Sequence, residues 1–145
     1  MVTWIDVLCS EHRRLEEALE RLAGLDTSGA PEFGEALAEA RAAALEHYRR
    51  EAAFLAAIRA HSQELAAKLA SQHADALEAA AEALRSLDEG QKRDAGRLAR
   101  RFRAIGQHNI IEEERDVFPL AAHWLAGAEG EKLSAALAPD YHQDL

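Results

Sequence analysis

Apolar residues recur at helical spacing through nearly the whole chain, and only three prolines interrupt them. This spacing puts the apolar residues on one face of a helix, which must then pack against other helices. Four long stretches show it. Loop-type residues at 26–31 and 88–90 separate the first stretch from the second and the third from the fourth. The third begins near Ser62 without a glycine or proline to mark the turn. The sequence therefore predicts an all-α bundle of four helices.

The ends of two helices carry recognisable signals. Thr3 followed by Asp6 is a capping pattern that predicts the start of the first helix. Phe118-Pro119 predicts an interruption or kink of the fourth helix. We also expect a short C-terminal helix over 131–137, and a chain of 145 residues fits one domain, 1–145.

The charge balance limits the partners of the protein. Seventeen basic residues against 26 acidic ones give a net charge of -9, which repels a phosphate backbone. We therefore expect no nucleic-acid partner and no binding to an anionic membrane. The sequence has no run of about 18 apolar residues and no basic segment ahead of an apolar one, so we expect a cytoplasmic protein.

The sequence contains a repeat built on histidine. A histidine is followed 35 residues later by a second histidine with a glutamate one turn beyond it, and a shift of 61 residues superimposes two copies of this pattern. The six repeated residues are His12, His47, Glu51, His73, His108 and Glu112. The chain thus looks like two copies of one helical hairpin, and antiparallel packing of the copies predicts one site with all six residues.

These six residues suit a buried metal centre. Cys9 is the only cysteine, so a metal must be held by histidines and carboxylates. Residues four apart on a helix share a face, so His47 with Glu51, and His108 with Glu112, can each contact one site. Imidazoles with two carboxylates suit two ions of zinc, iron, manganese or copper bridged by the carboxylates. The alternative is that each histidine is a core residue hydrogen-bonded to a backbone carbonyl.

The motifs Glu11-His12-Arg-Arg-Leu, His47-Tyr-Arg-Arg-Glu51, Gln72-His73 and the segment 108–119 resemble the hemerythrin-like, or His-His-Glu cation-binding, domains. The resemblance covers nearly the whole chain. It implies an up-down-up-down four-helix bundle with a non-heme di-iron centre, that is, two Fe ions bridged by carboxylates and an oxo or hydroxo group. The ligands it implies are His12 with His47 on one iron, His73 with His108 on the other, and Glu51 with Glu112 as bridges.

Two departures from the family pattern bear on function, and the first is Leu77. It stands four residues after His73, where oxygen-carrying hemerythrins have a further histidine. Its presence implies an open or water-filled position at each iron, similar to the arrangement implied for bacterial hemerythrin-like proteins linked to nitric oxide and iron-centre repair. This departure disfavours reversible oxygen carriage and favours redox reaction with dioxygen, peroxide or nitric oxide.

The second departure lies in the fourth helix. Phe118-Pro119 follows His108 one residue later than is usual in the family. This offset makes Glu113 a rival for the bridging role. The 61-residue shift maps Glu51 onto Glu112 rather than Glu113, so we take Glu112 as the predicted bridge.

Three functions are compatible with these residues. The first, which we favour, is a di-iron protein that binds or senses dioxygen or nitric oxide. The second is a redox enzyme acting on peroxide or nitric oxide, or an iron donor for repair of damaged iron centres. The third is a metal-free structural bundle. Whether the chain is an enzyme stays open, and a homodimer is compatible with each function.

Overall fold

The structure is a bundle of α-helices. A computed structural model describes residues 2–25, 27 and 30–143, and the helices within them are α1 (Trp4–Ala23), α2 (Ala30–Arg59), α3 (Gln63–Asp88), α4 (Lys92–Glu112), α5 (Phe118–Trp124) and α6 (Ala128–Gln143). A π-helical segment, Glu113–Val117, joins α4 to α5. These described residues contain no strand. The predicted all-α, up-down-up-down four-helix bundle is confirmed.

The helix ends follow from local sequence signals. The Thr3 side chain accepts a hydrogen bond from the backbone N–H of Asp6, and the Asp6 carboxylate accepts one from the backbone N–H of Thr3, which is the predicted capping pair. Ser62 caps α3 by accepting from the backbone N–H of Leu65, so α3 begins where expected. Gly90, with a φ of 76°, allows the turn after α3. Positions 26, 28 and 29 of the first predicted loop lie outside the described residues.

The helices close into a bundle. α1 packs on α2, α2 on α3 and α3 on α4, while α1 also contacts α4. The last helix, α6, is longer than the predicted 131–137 and packs on α1 and α2. No helix in the described part of the chain combines the length and the hydropathy needed to cross a bilayer.

A layer of buried polar residues divides the apolar core into two clusters. One cluster contains Leu15, Leu19, Ala44, Ala76, Phe102 and Ile110 among others. The other contains Leu8, Phe54, Leu69, Val117 and Phe118 among others. In each of the four long helical segments, polar residues fall between the two clusters; they are His12, His47, Glu51, His73 and Glu113. Because apolar side chains enclose this layer on both sides, it lies deep in the bundle.

Candidate metal centre

Five buried side chains converge on the polar layer. Ligand atoms of His12, His47, Glu51 and Glu113 all lie within 4.8 Å of one another. His73 joins them from α3, with its Nε2 atom 3.5 Å from Glu51 Oε1 and 3.2 Å from Glu113 Oε2. Three imidazoles and two carboxylates thus lie together, with His73 in contact with both carboxylates. Such a set suits a divalent transition-metal ion.

The two carboxylates each split their oxygens between two sides of the layer. Glu51 Oε2 lies 2.6 Å from His47 Nε2 and 3.6 Å from His12 Nε2, and Glu113 Oε1 lies 3.0 Å from His12 Nε2. The remaining oxygens, Glu51 Oε1 and Glu113 Oε2, are the ones that face His73. The donors therefore form two adjacent groups that share both carboxylates. One group has two imidazoles and the other has His73.

Further carboxylates orient two of the histidines. His12 Nδ1 donates to Glu114 Oε2 over 2.7 Å, and His47 Nδ1 donates to Glu11 Oε1 over 2.8 Å. Arg50 in turn donates from Nε to Glu11 Oε2. Because a carboxylate only accepts, each Nδ1 carries a proton, and in the neutral ring Nε2 then keeps a lone pair that can bind a metal ion. Carboxylates behind ligating histidines are a common feature of metal sites.

Aromatic rings hold the imidazoles from the sides. The Phe118 ring stacks on His12 with centroids 5.5 Å apart and planes at 8°. The Tyr48 ring stacks on His73 with centroids 4.0 Å apart, also at 8°. Tyr48 directly follows His47 in the sequence, and the helical spacing that identifies His47 gives no indication that the next residue reaches this site. These contacts restrict how far the rings can turn.

The buried donors fit a cation. Among the described residues, His47 Nε2 and both carboxylate oxygens of Glu51 are buried without a hydrogen-bond partner. His47 Nε2 and Glu51 Oε2 are 2.6 Å apart, yet they lack the angles of a hydrogen bond. A buried carboxylate with no compensating charge costs several kcal/mol. Cations placed among these atoms would satisfy all three of them.

The pKa shifts of the buried glutamates and histidines indicate that the layer favours positive charge. Burial, together with the neighbouring Glu51 carboxylate, raises the pKa of Glu113 above its usual range. Burial disfavours the protonated form of His12, but Glu113 and Glu51 outweigh this and raise the pKa of His12 to about 10. The same balance raises the pKa of His73 to about 9. Without metal, protons on the histidines neutralise the carboxylates, and metal ions can take over that role.

Comparison with protein families agrees with this chemistry. The model of the hemerythrin HHE cation-binding domain matches residues 3–121. The chain belongs to this hemerythrin HHE family. All five converging residues fall within the matched region. The chain matches no curated protein and no solved structure.

The structure of this HHE domain brings together four of the six predicted site residues, and not the other two. His12, His47, Glu51 and His73 converge as described above. The side chain of His108 is 68% exposed, and that of Glu112 pairs with Lys68 on the outside of the bundle. Glu113 takes the place predicted for Glu112. This placement corrects the predicted grouping of six.

The exposed position of His108 follows from which face of α4 points into the bundle. The residues of α4 that point into the bundle include Phe102, Gly106, Asn109 and Ile110, whereas Ile105, His108 and Ile111 turn outward or lie at the edge. The outward set looks like an apolar face in the sequence. The inward face contains a glycine, whose close approach to the Leu19 side chain leaves little room for a Cβ atom, and it therefore carries a weak apolar signal.

The register of Phe118-Pro119 was the sequence signal that pointed to the observed arrangement. Its one-residue offset from His108 made Glu113 a rival of Glu112, which the 61-residue repeat favoured. In the structure, a shift of 62 rather than 61 residues relates α2 to α4 of the HHE domain, and it maps Glu51 onto Glu113. The same shift maps His47 onto Asn109, which is not among the six residues predicted from the sequence.

Proposed function

We propose that this HHE domain holds two non-heme iron ions that share Glu51 and Glu113, and that it binds or senses dioxygen or nitric oxide there. The observation that supports two ions is the division of both carboxylates, each with one oxygen toward the His12 and His47 side and the other toward His73. In this proposal His12 and His47 bind one iron, His73 binds the other, and the carboxylates bridge.

The donor set favours iron among the metals that imidazole and carboxylate accept. All five converging side chains are imidazoles or carboxylates, a mixture that suits iron with positions left open. The first group would offer an iron two imidazoles and two carboxylate oxygens, and the His73 group would offer one imidazole and two carboxylate oxygens. A bound iron pair would supply these open positions and a redox couple for a small molecule.

The surrounding residues prepare the site for such a ligand. Glu11 and Glu114 fix the protons of His47 and His12 on Nδ1, so both Nε2 atoms remain available. Phe118 and Tyr48 close the layer with apolar ring faces. Small apolar molecules such as dioxygen and nitric oxide partition readily into such surroundings, whereas hydrated ions do not.

Iron analysis under equilibrium conditions tests the metal. The protein is dialysed without oxygen against excess ferrous iron, and bound iron is measured at equilibrium. We expect two irons per chain and an optical spectrum that changes on oxidation. One zinc ion retained against excess iron would overturn the di-iron proposal, and so would the absence of stoichiometric metal, which is the result for a purely structural bundle.

Reaction with nitric oxide distinguishes binding from catalysis. The reduced, iron-loaded protein is titrated with nitric oxide, and in a parallel sample with hydrogen peroxide. A binding or sensing role predicts an optical change that ends at a fixed ratio of nitric oxide to protein, without consumption of further gas. Continued consumption of either compound with an added reductant supports the redox enzyme instead, and release of iron to an acceptor supports the donor.

A further inference from the structure

Asn109 occupies the position in α4 that His47 has in α2. It lies one helical turn before Glu113, just as His47 lies one turn before Glu51, and it is fully buried. Its carbonyl oxygen, Oδ1, is buried without a hydrogen-bond partner among the described residues. A buried amide oxygen left unpaired costs about 1–3 kcal/mol. This cost indicates that the oxygen has a partner in the loaded protein.

The orientation of the Asn109 amide is fixed from the surface of the bundle. The Glu112 carboxylate can only accept, so Gln72 presents its Nε2 to Glu112 Oε2 at 2.7 Å. Gln72 Oε1 then accepts from Asn109 Nδ2 at 2.8 Å. Asn109 Oδ1 is therefore the atom left free, and turning the amide over would place two oxygens against each other. Lys68 holds the outer end of this chain through its pair with Glu112.

The His12 and His47 side of the centre differs from the His73 side in the carboxylates that hydrogen-bond to the histidines from behind. On one side, Glu114 and Glu11 stand behind His12 and His47. On the other side, no carboxylate contacts Nδ1 of His73 within the described residues, and a tyrosine ring stacks on that imidazole. Carboxylates behind ligating histidines raise their basicity, and losing such a partner typically lowers metal affinity about 10–100-fold.

We infer that Asn109 Oδ1 is the additional donor to the ion at His73, and that the two metal positions are unequal. The inference rests on the proposed function, since it assumes that both positions bind metal. The position at His12 and His47 has two imidazoles and loads first. The position at His73 and Asn109 has one imidazole and one neutral carbonyl, a weaker donor for iron, so it loads later and exchanges its ion.

A titration of the metal-free protein with ferrous iron under anaerobic conditions, against a competing chelator, tests this order. We expect two steps in the wild type, with the second iron bound about 10–100-fold more weakly than the first. Asn109→His supplies an imidazole at the weaker position and should tighten the second step by at least about tenfold, with little change in the first. Asn109→Leu should abolish the second step and keep the first.

Matched variants separate this effect from a change in folding. His108→Asn removes the exposed imidazole next to Asn109 and should leave both steps unchanged. Combining His108→Asn with Asn109→His keeps the composition and should reproduce the tightening. If histidine does not fit at this position, Asn109→Asp, which has the same shape, should tighten the second step instead.

The outcomes distinguish the two proposals. Two equal steps in the wild type, or an unchanged second step in Asn109→Leu, overturn the inequality but leave the di-iron centre in place. A single iron that both Asn109→His and Asn109→Asp fail to raise to two overturns the second position itself. No binding in any variant overturns the proposed metal centre.

Discussion

The ring of Tyr48 lies flat against the imidazole of His73, with centroids 4.0 Å apart and planes at 8°. Tyr48 belongs to α2 and His73 to α3, so this contact joins two helices at the polar layer. The hydroxyl of Tyr48 is buried without a hydrogen-bond partner among the described residues. Burial and the nearby carboxylates of Glu51 and Glu113 raise the pKa of this phenol, so it stays protonated.

Replacing Tyr48 separates the role of the ring from that of the hydroxyl. Tyr48→Phe keeps the ring and removes an unpaired buried oxygen, so we expect the free energy of unfolding of the metal-free protein to stay level or rise by about 1 kcal/mol. Tyr48→Ala leaves a cavity and should lower it by about 3–5 kcal/mol. Urea unfolding measures both. A Phe variant less stable than the wild type by more than 1 kcal/mol, on the order of one lost hydrogen bond, would show that the hydroxyl has a partner.

Removing an imidazole from the first group should cost the tightly bound iron. His47→Ala takes away the Nε2 atom that lies 2.6 Å from Glu51 Oε2 and leaves Glu11 without its histidine. We expect at least one iron per chain to be lost on equilibrium dialysis, while His73→Ala should keep the first iron and lose the second. Iron content and the optical spectrum are the measurements.

Three other histidines provide controls. His108 is exposed, His61 pairs with Glu129 and stacks on Trp124, and His123 is exposed on α5. None of the three contacts the polar layer, so each alanine variant should hold as much iron as the wild type. Loss of iron from His108→Ala would support the grouping predicted from the sequence and contradict the observed one.

Glu112, at the end of α4, and Glu113, at the start of the π-helical segment, can be compared by the same substitution. Glu113→Gln removes one carboxylate from between His12 and His73, and we expect it to abolish binding of the second iron. Glu112→Gln changes a side chain that contacts Gln72 and Lys68 outside the layer, and its amide oxygen can still accept from Gln72, so the second iron should still bind. Calorimetric titration with ferrous iron compares them. The opposite order would restore Glu112 as the bridge.

Much of the fold and part of the site could be predicted from the sequence, for physical reasons. The buried faces of α1 and α2 carry long apolar side chains at regular spacing, so His12, His47 and Glu51 stand out inside them. The capping pair at Thr3 is local and depends on nothing else in the fold. These features can be predicted from local sequence alone, because they do not depend on tertiary contacts.

The buried face of α4 is harder to predict from the sequence, because two faces that are offset by one residue both look possible. Ile105, His108 and Ile111 imitate a buried face, whereas the real one passes through Gly106 and Asn109. Only packing decides between them: Gly106 allows α4 to approach Leu19, and Asn109 finds Gln72 on α3. A π-helical segment then begins at Glu113, and its wider turn cannot be predicted from apolar spacing.

Removing the metal should lower the thermal stability. Ions that bind only the folded chain stabilise it by mass action, because the unfolded chain does not bring Glu51, Glu113 and the histidines together. Chelation after reduction should lower Tm by several degrees, at roughly 2–4 °C for each kcal/mol. Calorimetry provides the measurement, with His47→Ala as a control that should shift less.

Cys9 gives a test of the charge next to the centre. Burial, followed by the charge of Glu114, raises the pKa of the Cys9 thiol to about 11. A raised thiol pKa means that little thiolate forms near neutral pH, because the neutral form is favoured until the pH approaches 11.

The rate of Cys9 alkylation by iodoacetamide should therefore climb steadily with pH, without the plateau that an ordinary thiol shows above about pH 9. Glu114→Gln removes a negative charge near the sulfur and should speed alkylation at pH 8, although burial keeps the rate below that of the urea-unfolded protein, which serves as the reference. The charge of Arg13 lowers the same pKa, so Arg13→Gln should act in the opposite direction and slow the reaction. A plateau near pH 9 in the folded wild type, or equal rates in all three proteins, would contradict the placement of Cys9 beside Glu114.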